Sequence, residues 1–120
     1  MKRDPSLVRH LLLHFEGKPD DQVDPFLAVP GYSELQVGHH LLLMYEAGFI
    51  RAEPELTKTG RIIKVYPFSL TWQGHEFLDA SRDEKLWKKA TSMLAEKTGA
   101  LSFSVLQSLL TSMAKQQLGI

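Results

Sequence analysis

The pattern of apolar and polar residues predicts a mostly helical chain. Between Asp4 and Gly17, apolar residues recur every three or four positions, as they do along the buried face of a helix. Asp4 suits the N-cap and Pro5 the first helical position, where its missing N–H costs nothing. A second helix is predicted from the N-cap Ser33 to Ala47, and the glycine that follows Ala47 ends it.

Two strands are predicted after the second helix. Phe49 to Ala52 forms the first strand, and Arg61 to Phe68 forms the second because it is rich in β-branched and aromatic residues. The polar stretch from Pro54 to Gly60 is predicted to be the turn between them. Upstream, the short apolar segment from Asp24 to Val29 is predicted to be a weak strand or an irregular connector.

Three further helices complete the pattern. They are predicted from Thr71 to about Ser81, from Asp83 to about Lys97, and from the N-cap Ser102 onward. The last helix carries a broad apolar stripe made of Val105, Leu106, Leu109, Leu110 and Met113. These helices need a neighbouring surface on which to bury their apolar faces.

The order of elements, with a hairpin directly after the second helix, is the layout of a winged helix. The predicted fold is α+β but mostly α: a winged helix with a two-stranded wing and additional C-terminal helices. Residues 1–82 are predicted to form the winged-helix domain. Residues 83–120 are predicted to form a helical extension packed on it, so that the chain is a single structural domain.

Three segments of the chain resemble a known family. They are MKRDPSLVRHLLLHFE at the first helix, GYSELQVGHHLLLMYEAGFI at the second, and LTWQGHEFLDASRDEKLW at the third. On these segments the chain resembles the bacterial and bacteriophage family catalogued as domain of unknown function 2513. The resemblance implies a winged-helix fold and a frequent origin in prophages, and it implies no activity.

Composition narrows the classes of partner. The 120 residues include 14 lysines and arginines against 14 aspartates and glutamates, whereas proteins that rely on phosphate contacts usually carry a positive excess. There is no cysteine, which excludes disulfides and thiolate metal sites. No apolar run is long enough to span a bilayer, so we expect a cytoplasmic protein without a membrane partner.

One pair of residues resembles part of a metalloprotease helix. His75 and Asp79 lie four residues apart and share a helix face, but Asp79 stands where the second histidine is needed. The alternative is structural: His75 hydrogen-bonds Asp79 or a backbone carbonyl, while Trp72 and its apolar neighbours pack. The missing histidine favours this structural interpretation.

The remaining motifs give no support for catalysis. His10 and His14 are also four residues apart, on a partly exposed side of the first helix, and would need a third ligand to hold a metal. The sequence has no glycine-rich phosphate loop and no nucleophile elbow. We therefore predict a protein that is not an enzyme, with no catalytic, metal or cofactor site and no small-molecule substrate.

Because winged helices often bind DNA, DNA is the first candidate partner. The contacts would come from the N-terminal half of the second helix and from the basic hairpin. The candidate residues are Ser33, Gln36, His39, Arg51, Lys58, Arg61 and Lys64. On this hypothesis the protein is a DNA-binding or regulatory, prophage-related winged helix; a solvated hairpin with edge lysines is the structural alternative.

The outer face of the second helix points to a different partner. It lacks arginine and lysine, and Leu35 and Leu42, with Tyr45 at the edge, are better suited to packing than to reading bases. Three surfaces are candidates to cover it: the C-terminal helices of this chain, a second copy, or another protein. The alternative function is thus a non-enzymatic protein-interaction module, a homodimer or a phage factor binding a host protein, which also uses Leu109 and Met113.

Overall fold

The computed structural model describes residues 1–24 and 27–120, which form five helices and one two-stranded sheet. In chain order the elements are α1 (Pro5–Glu16), α2 (Glu34–Glu46), β1 (Ile50–Leu56), β2 (Ile62–Leu70), α3 (Trp72–Ser81), α4 (Glu84–Thr98) and α5 (Phe103–Leu118). The described part of the chain is therefore α+β and mostly helical, as the sequence predicts. No helix among these residues combines the length and apolar character that crossing a bilayer requires.

The predicted helix ends are confirmed by the caps. The Asp4 carboxylate accepts hydrogen bonds from the backbone N–H groups of Ser6 and Leu7, at 2.9 and 3.2 Å. Ser33 and Gln36 form a reciprocal capping box at the start of α2. Gly48 follows α2 with a φ of 77°, a left-handed conformation that glycine adopts without strain and that reverses the chain.

The hairpin differs from the prediction in its lengths. β1 continues through Pro54 to Leu56, so the predicted first strand is too short and the predicted turn from Pro54 to Gly60 is too long. Proline is tolerated here because both strands of a two-stranded sheet are edge strands, and Pro54 lies opposite Val65. The turn is confined to a short segment closed by a 2.8 Å bond from the Thr57 N–H to the Arg61 carbonyl.

The pairing of the strands contains two irregularities, both with the extra residue on β2. Glu55 pairs with Lys64 and Leu56 with Ile62, so Ile63 has no partner residue on β1. The same step occurs between Ser69 and Pro67, which leaves Phe68 as the second extra residue. A bulged residue is left out of the ladder and its side chain is redirected.

The connector upstream of α2 is irregular where it is described. Asp24 and residues 27–29 lie outside helices and strands, and residues 25–26 of the predicted segment lie outside the described residues. The Asp24 N–H donates to the Pro67 carbonyl at 3.1 Å, and the Asp24 carboxylate lies 2.6 Å from His14 Nε2. The connector is thereby attached to both α1 and β2.

The chain divides into two compact units, Met1–His75 and Glu76–Ile120. The first unit holds α1, α2 and the hairpin, and its core includes Leu7, Leu11, Leu12, Phe15, Val37, Leu41, Met44, Ile50, Val65 and Leu70. The second holds most of α3 with α4 and α5, around Phe77, Leu78, Trp87, Ala90, Leu94, Leu106, Leu110 and Met113. The predicted packing of residues 83–120 on residues 1–82 stays a prediction.

Two sequence predictions about packing are wrong. Trp72 is 77% exposed, because it lies two residues, or about 200° around α3, from the buried Gly74. Val105 is 49% exposed, while Leu106, Leu110 and Met113 of the same stripe are buried. The buried stripe on α5 is therefore narrower than predicted. It consists of Leu106, Leu110 and Met113, which are spaced four and three residues apart.

Candidate functional site

An open groove of about 1040 Å³ lies within the N-terminal unit. Its walls are the segment of α2 from Glu34 to Leu42, the connector residues 27–29, and residues 61–67 at and along β2. Val37 and Leu41 belong to the lining although they are almost fully buried, whereas Leu35 on the same helix is exposed. The groove therefore combines core-facing and solvent-facing residues of α2.

Residues from both sequence hypotheses line this one groove. Of the predicted nucleic-acid contacts, it is lined by Ser33, His39, Arg61 and Lys64. Of the predicted protein contacts, Leu35 and Leu42 line it. The lining does not include Gln36, Arg51, Lys58 or Tyr45. The remaining two, Leu109 and Met113, belong to the C-terminal unit, where Leu109 is half-buried and Met113 is buried.

The groove exposes apolar side chains on two of its walls. Leu35 on α2 is 70% exposed, and Ile63 on β2 is 52% exposed. Leu42 also lines the groove and is half-buried. Sequence reasoning missed Ile63, because its exposure follows from the bulge at that position and strand alternation gives no signal for a bulge.

Three of the predicted nucleic-acid contacts already form hydrogen bonds within the protein. The Ser33 hydroxyl accepts from the Gln36 N–H at 3.1 Å, and the Gln36 amide oxygen accepts from the Ser33 N–H at 2.8 Å. The Arg51 guanidinium donates to the Leu70 carbonyl at 2.7 Å across the hairpin. These groups stabilise the start of α2 and the base of the hairpin.

The cations nearer the hairpin turn are exposed. Lys58 lies in the turn, and Arg61 and Lys64 follow it on the side that borders the groove. The Lys64 ammonium lies 5.1 Å from the centroid of the Tyr66 ring. The Tyr66 hydroxyl donates to the Glu55 carboxylate at 2.6 Å, and this hydrogen bond, followed by burial and the negative charge of Glu55, raises the pKa of Tyr66.

A polar network supports the start of α2 beside the groove. His40 is buried; its Nε2 accepts from the Asp4 N–H at 2.8 Å, and its Nδ1 lies 2.8 Å from the Gln36 carbonyl. The Tyr32 hydroxyl donates to the Asp4 carboxylate at 3.0 Å. Sequence analysis did not assign this role to His40, because the partner lies 36 residues away in the chain.

The two pairs considered as metal ligands in the sequence, His75 with Asp79 and His10 with His14, do not form metal sites in the described residues. Asp79 accepts a 2.9 Å bond from Arg82, and His75 is exposed. His14 contacts Asp24, and His10 is exposed on the same helix. In the part of the chain that the structure describes, no group of three or more such side chains is placed to hold a metal ion.

Comparison with known protein families shows the family to which the chain belongs. The profile of the family described as "Hypothetical protein (DUF2513)" matches residues 2–100. The chain belongs to the DUF2513 family. The matched range contains every residue of the groove lining except Met1 and ends before α5, so almost all of the groove belongs to the region that defines DUF2513 membership.

A relative of this DUF2513 protein extends the match to almost the full chain. An uncharacterized protein of Haemophilus influenzae is 29% identical over 124 residues, covering 98% of this chain and 99% of the relative. No solved structure matches. These comparisons confirm the family resemblance seen in the sequence. They assign no function to the family.

Proposed function

We propose that this DUF2513 protein is a non-enzymatic protein-interaction module whose N-terminal unit is a winged helix. The hairpin that directly follows α2, with α3 after it, supports the winged-helix assignment. The chain between α1 and α2, residues 17–33, is much longer than the turn of three or four residues in a helix-turn-helix. The unit therefore lacks the tight turn with which such proteins set a reading helix into DNA.

The observation that carries the proposal is the exposed apolar pair Leu35 and Ile63 on two walls of one groove. Their exposed fractions are 70% and 52%. Burying such side chains against a partner is favourable by about 25 cal/mol per Å² of apolar surface. Concave surfaces with apolar side chains and a polar rim are typical of protein-recognition sites. The occupant is a polypeptide segment of another protein that presents apolar side chains.

DNA binding is the second candidate, and the exposed cations Lys58, Arg61 and Lys64 favour it. Against it, Ser33, Gln36 and Arg51 have structural partners, and the net charge is zero. Glu34 also places a negative charge at the start of α2, where a phosphate would approach. A phosphate backbone would also not bury the apolar side chains of the groove in a favourable contact.

The test is selection of displayed 12-residue peptides on the full chain, followed by measurement of their affinity for variants. Leu35→Ser combined with Ile63→Ser should weaken the selected peptides about tenfold or more, because two apolar anchors are removed. Leu56→Ser is the matched control: Leu56 is 56% exposed on the same hairpin and does not line the groove. It should leave affinity within about twofold.

The same variants separate the two candidates. If no peptide is enriched, or if Leu56→Ser is as damaging as the groove variant, the interaction proposal fails. Salt-sensitive binding of random duplex DNA that depends on Lys58, Arg61 and Lys64 but not on Leu35 or Ile63 would establish the second candidate instead.

A further inference from the structure

We infer that the segment bound by the groove carries an apolar side chain flanked by carboxylates. This inference rests on the proposed function and specifies the partner's chemistry. It follows from the order of residues on the β2 wall, Arg61-Ile62-Ile63-Lys64, which places an apolar pair between two exposed or partly exposed cationic positions. The complement of this segment is an apolar residue with an acid on either side.

The bulge explains why the apolar pair is available. In a regular ladder, Ile63 would have a partner on β1; here Glu55 pairs with Lys64 and Leu56 with Ile62, and Ile63 is the extra residue. Its side chain is 52% exposed and lines the groove. The bulge thus exposes an aliphatic side chain on a wall that also carries Arg61 and Lys64.

The acids that line the groove lie outside the β2 wall. Asp24 lies against His14 at 2.6 Å, and its own N–H is bonded to Pro67. Glu34 belongs to the first turn of α2, on a different wall of the groove from Arg61 and Lys64. Glu55, which pairs with Lys64 across the ribbon, accepts from Tyr66 and does not line the groove. A carboxylate of a partner therefore finds its counter-charges on β2.

The chain has an apolar residue near acids in its own N-terminal unit, and hydrogen bonds hold its loop in place. Val23 lies in the loop Asp20–Asp24, whose Gln22 carbonyl accepts from the Lys18 ammonium. The same ammonium donates to the Phe68 carbonyl at 2.8 Å. Since this loop is fastened to its own unit, a segment from another protein is a better occupant than a second copy.

The experiment uses three displayed peptide libraries of equal size and the full chain. Each has an aliphatic centre, and they differ only in the flanking positions: Asp/Glu, Asn/Gln, or Lys/Arg. We expect the acidic library to be enriched at least about tenfold over the other two, and its peptides to bind more weakly as salt rises. Arg61→Gln with Lys64→Gln should abolish the preference for acids.

Matched variants and alternative outcomes make the test decisive. Lys58→Gln removes a hairpin cation outside the groove lining and should retain the preference. Equal enrichment of the neutral library overturns the charge inference and leaves the proposed function intact. No enrichment, or binding of random duplex DNA alone, overturns both. A concentration-dependent dimer in light scattering that Ile63→Ser disperses would assign the groove to a second copy and overturn the inference.

Discussion

At the scale of residues, His40 joins the start of the chain to α2 through both nitrogens of its ring. The Gln36 carbonyl can only accept, so Nδ1 is the donor there, and Nε2 accepts from the Asp4 N–H. The ring is therefore the neutral tautomer with its proton on Nδ1. Because His40 is buried, removing it would leave a backbone donor without its acceptor, which costs about 1–3 kcal/mol.

Tyr32 gives a pH-dependent prediction at the same network. Burial, the hydrogen bond to Asp4 and the negative charge of Asp4, in that order, raise the pKa of Tyr32 above its ordinary value of 10.0. The unfolded chain then loses this proton at lower pH than the folded chain, so the stabilisation is present below about pH 10 and lost as pH rises through the folded pKa.

We expect Tyr32→Phe to lower the free energy of unfolding by about 1 kcal/mol at pH 8, the net value of one hydrogen bond. The difference between the two proteins should shrink above about pH 10, where the wild type alone loses stability from this group. Urea unfolding at several pH values measures it. A difference that stays constant from pH 8 to pH 11 would contradict the assignment.

Residue-level predictions from sequence succeeded where the partner is close in the chain. The predicted N-caps Asp4 and Ser33 each bond a backbone N–H two or three residues away through a carboxylate or hydroxyl. Asp83, predicted only as the start of its helix, caps it in the same way through Leu86. Ser102 occupies an N-cap without making a side-chain cap bond. The role of His40 depends on contact with a distant segment, and no local pattern encodes that contact.

At the scale of elements, α3 begins against the chain reversal that follows α2. The Thr71 N–H donates to the Phe49 carbonyl at 3.0 Å, and the Thr71 hydroxyl donates to the Gly48 carbonyl. The same hydroxyl accepts from the Gly74 N–H at 3.1 Å, which caps the helix. These bonds bring the first turn of α3 so close to Phe49 that only glycine fits at position 74.

Gly74→Ala should therefore destabilise the protein. A Cβ at position 74 would lie 2.1 Å from the Phe49 carbonyl oxygen and 3.3 Å from a Leu70 methyl. Backbone must move to relieve this overlap, which we expect to cost about 3 kcal/mol. Gly38→Ala, in α2 with nothing within 4 Å, should instead raise stability by about 0.5–1 kcal/mol. Thermal and urea unfolding of both variants measure the contrast; equal effects would refute the close approach.

The hairpin shows which features of an element can be predicted. The existence and order of both strands followed from β-branched and aromatic residues near Ile62 and Val65. The length of β1 did not, because Pro54 signals a turn locally and is accommodated only once the sheet is known to have two edge strands. The bulge at Ile63 depends on the pairing register, which the sequence alone does not fix.

At the scale of the whole molecule, the groove combines segments that are far apart in sequence. Leu35, the connector at Val29 and the β2 wall at Ile63 belong to different elements and meet only in the folded N-terminal unit. Sequence analysis named Leu35 and Arg61 for two different functions. These two residues line one surface only in the folded chain. The combination of apolar and cationic groups on that surface is therefore a property of the tertiary structure, which the sequence pattern does not reveal.

The balanced charge of the chain has a measurable consequence. With 14 basic and 14 acidic residues the net charge at pH 7 is zero, which removes mutual repulsion between molecules. We expect solubility, measured by polyethylene glycol precipitation, to be lowest near pH 7 and to rise on either side. Solubility without a minimum between pH 5.5 and pH 9 would contradict this prediction.

Met1 borders the groove and is 68% exposed. A purification tag fused ahead of Met1 would begin beside the groove and compete there with a ligand. Ile120 is 83% exposed and does not line the groove. The choice of fusion end would therefore decide whether an affinity measurement reports on the surface or on the tag.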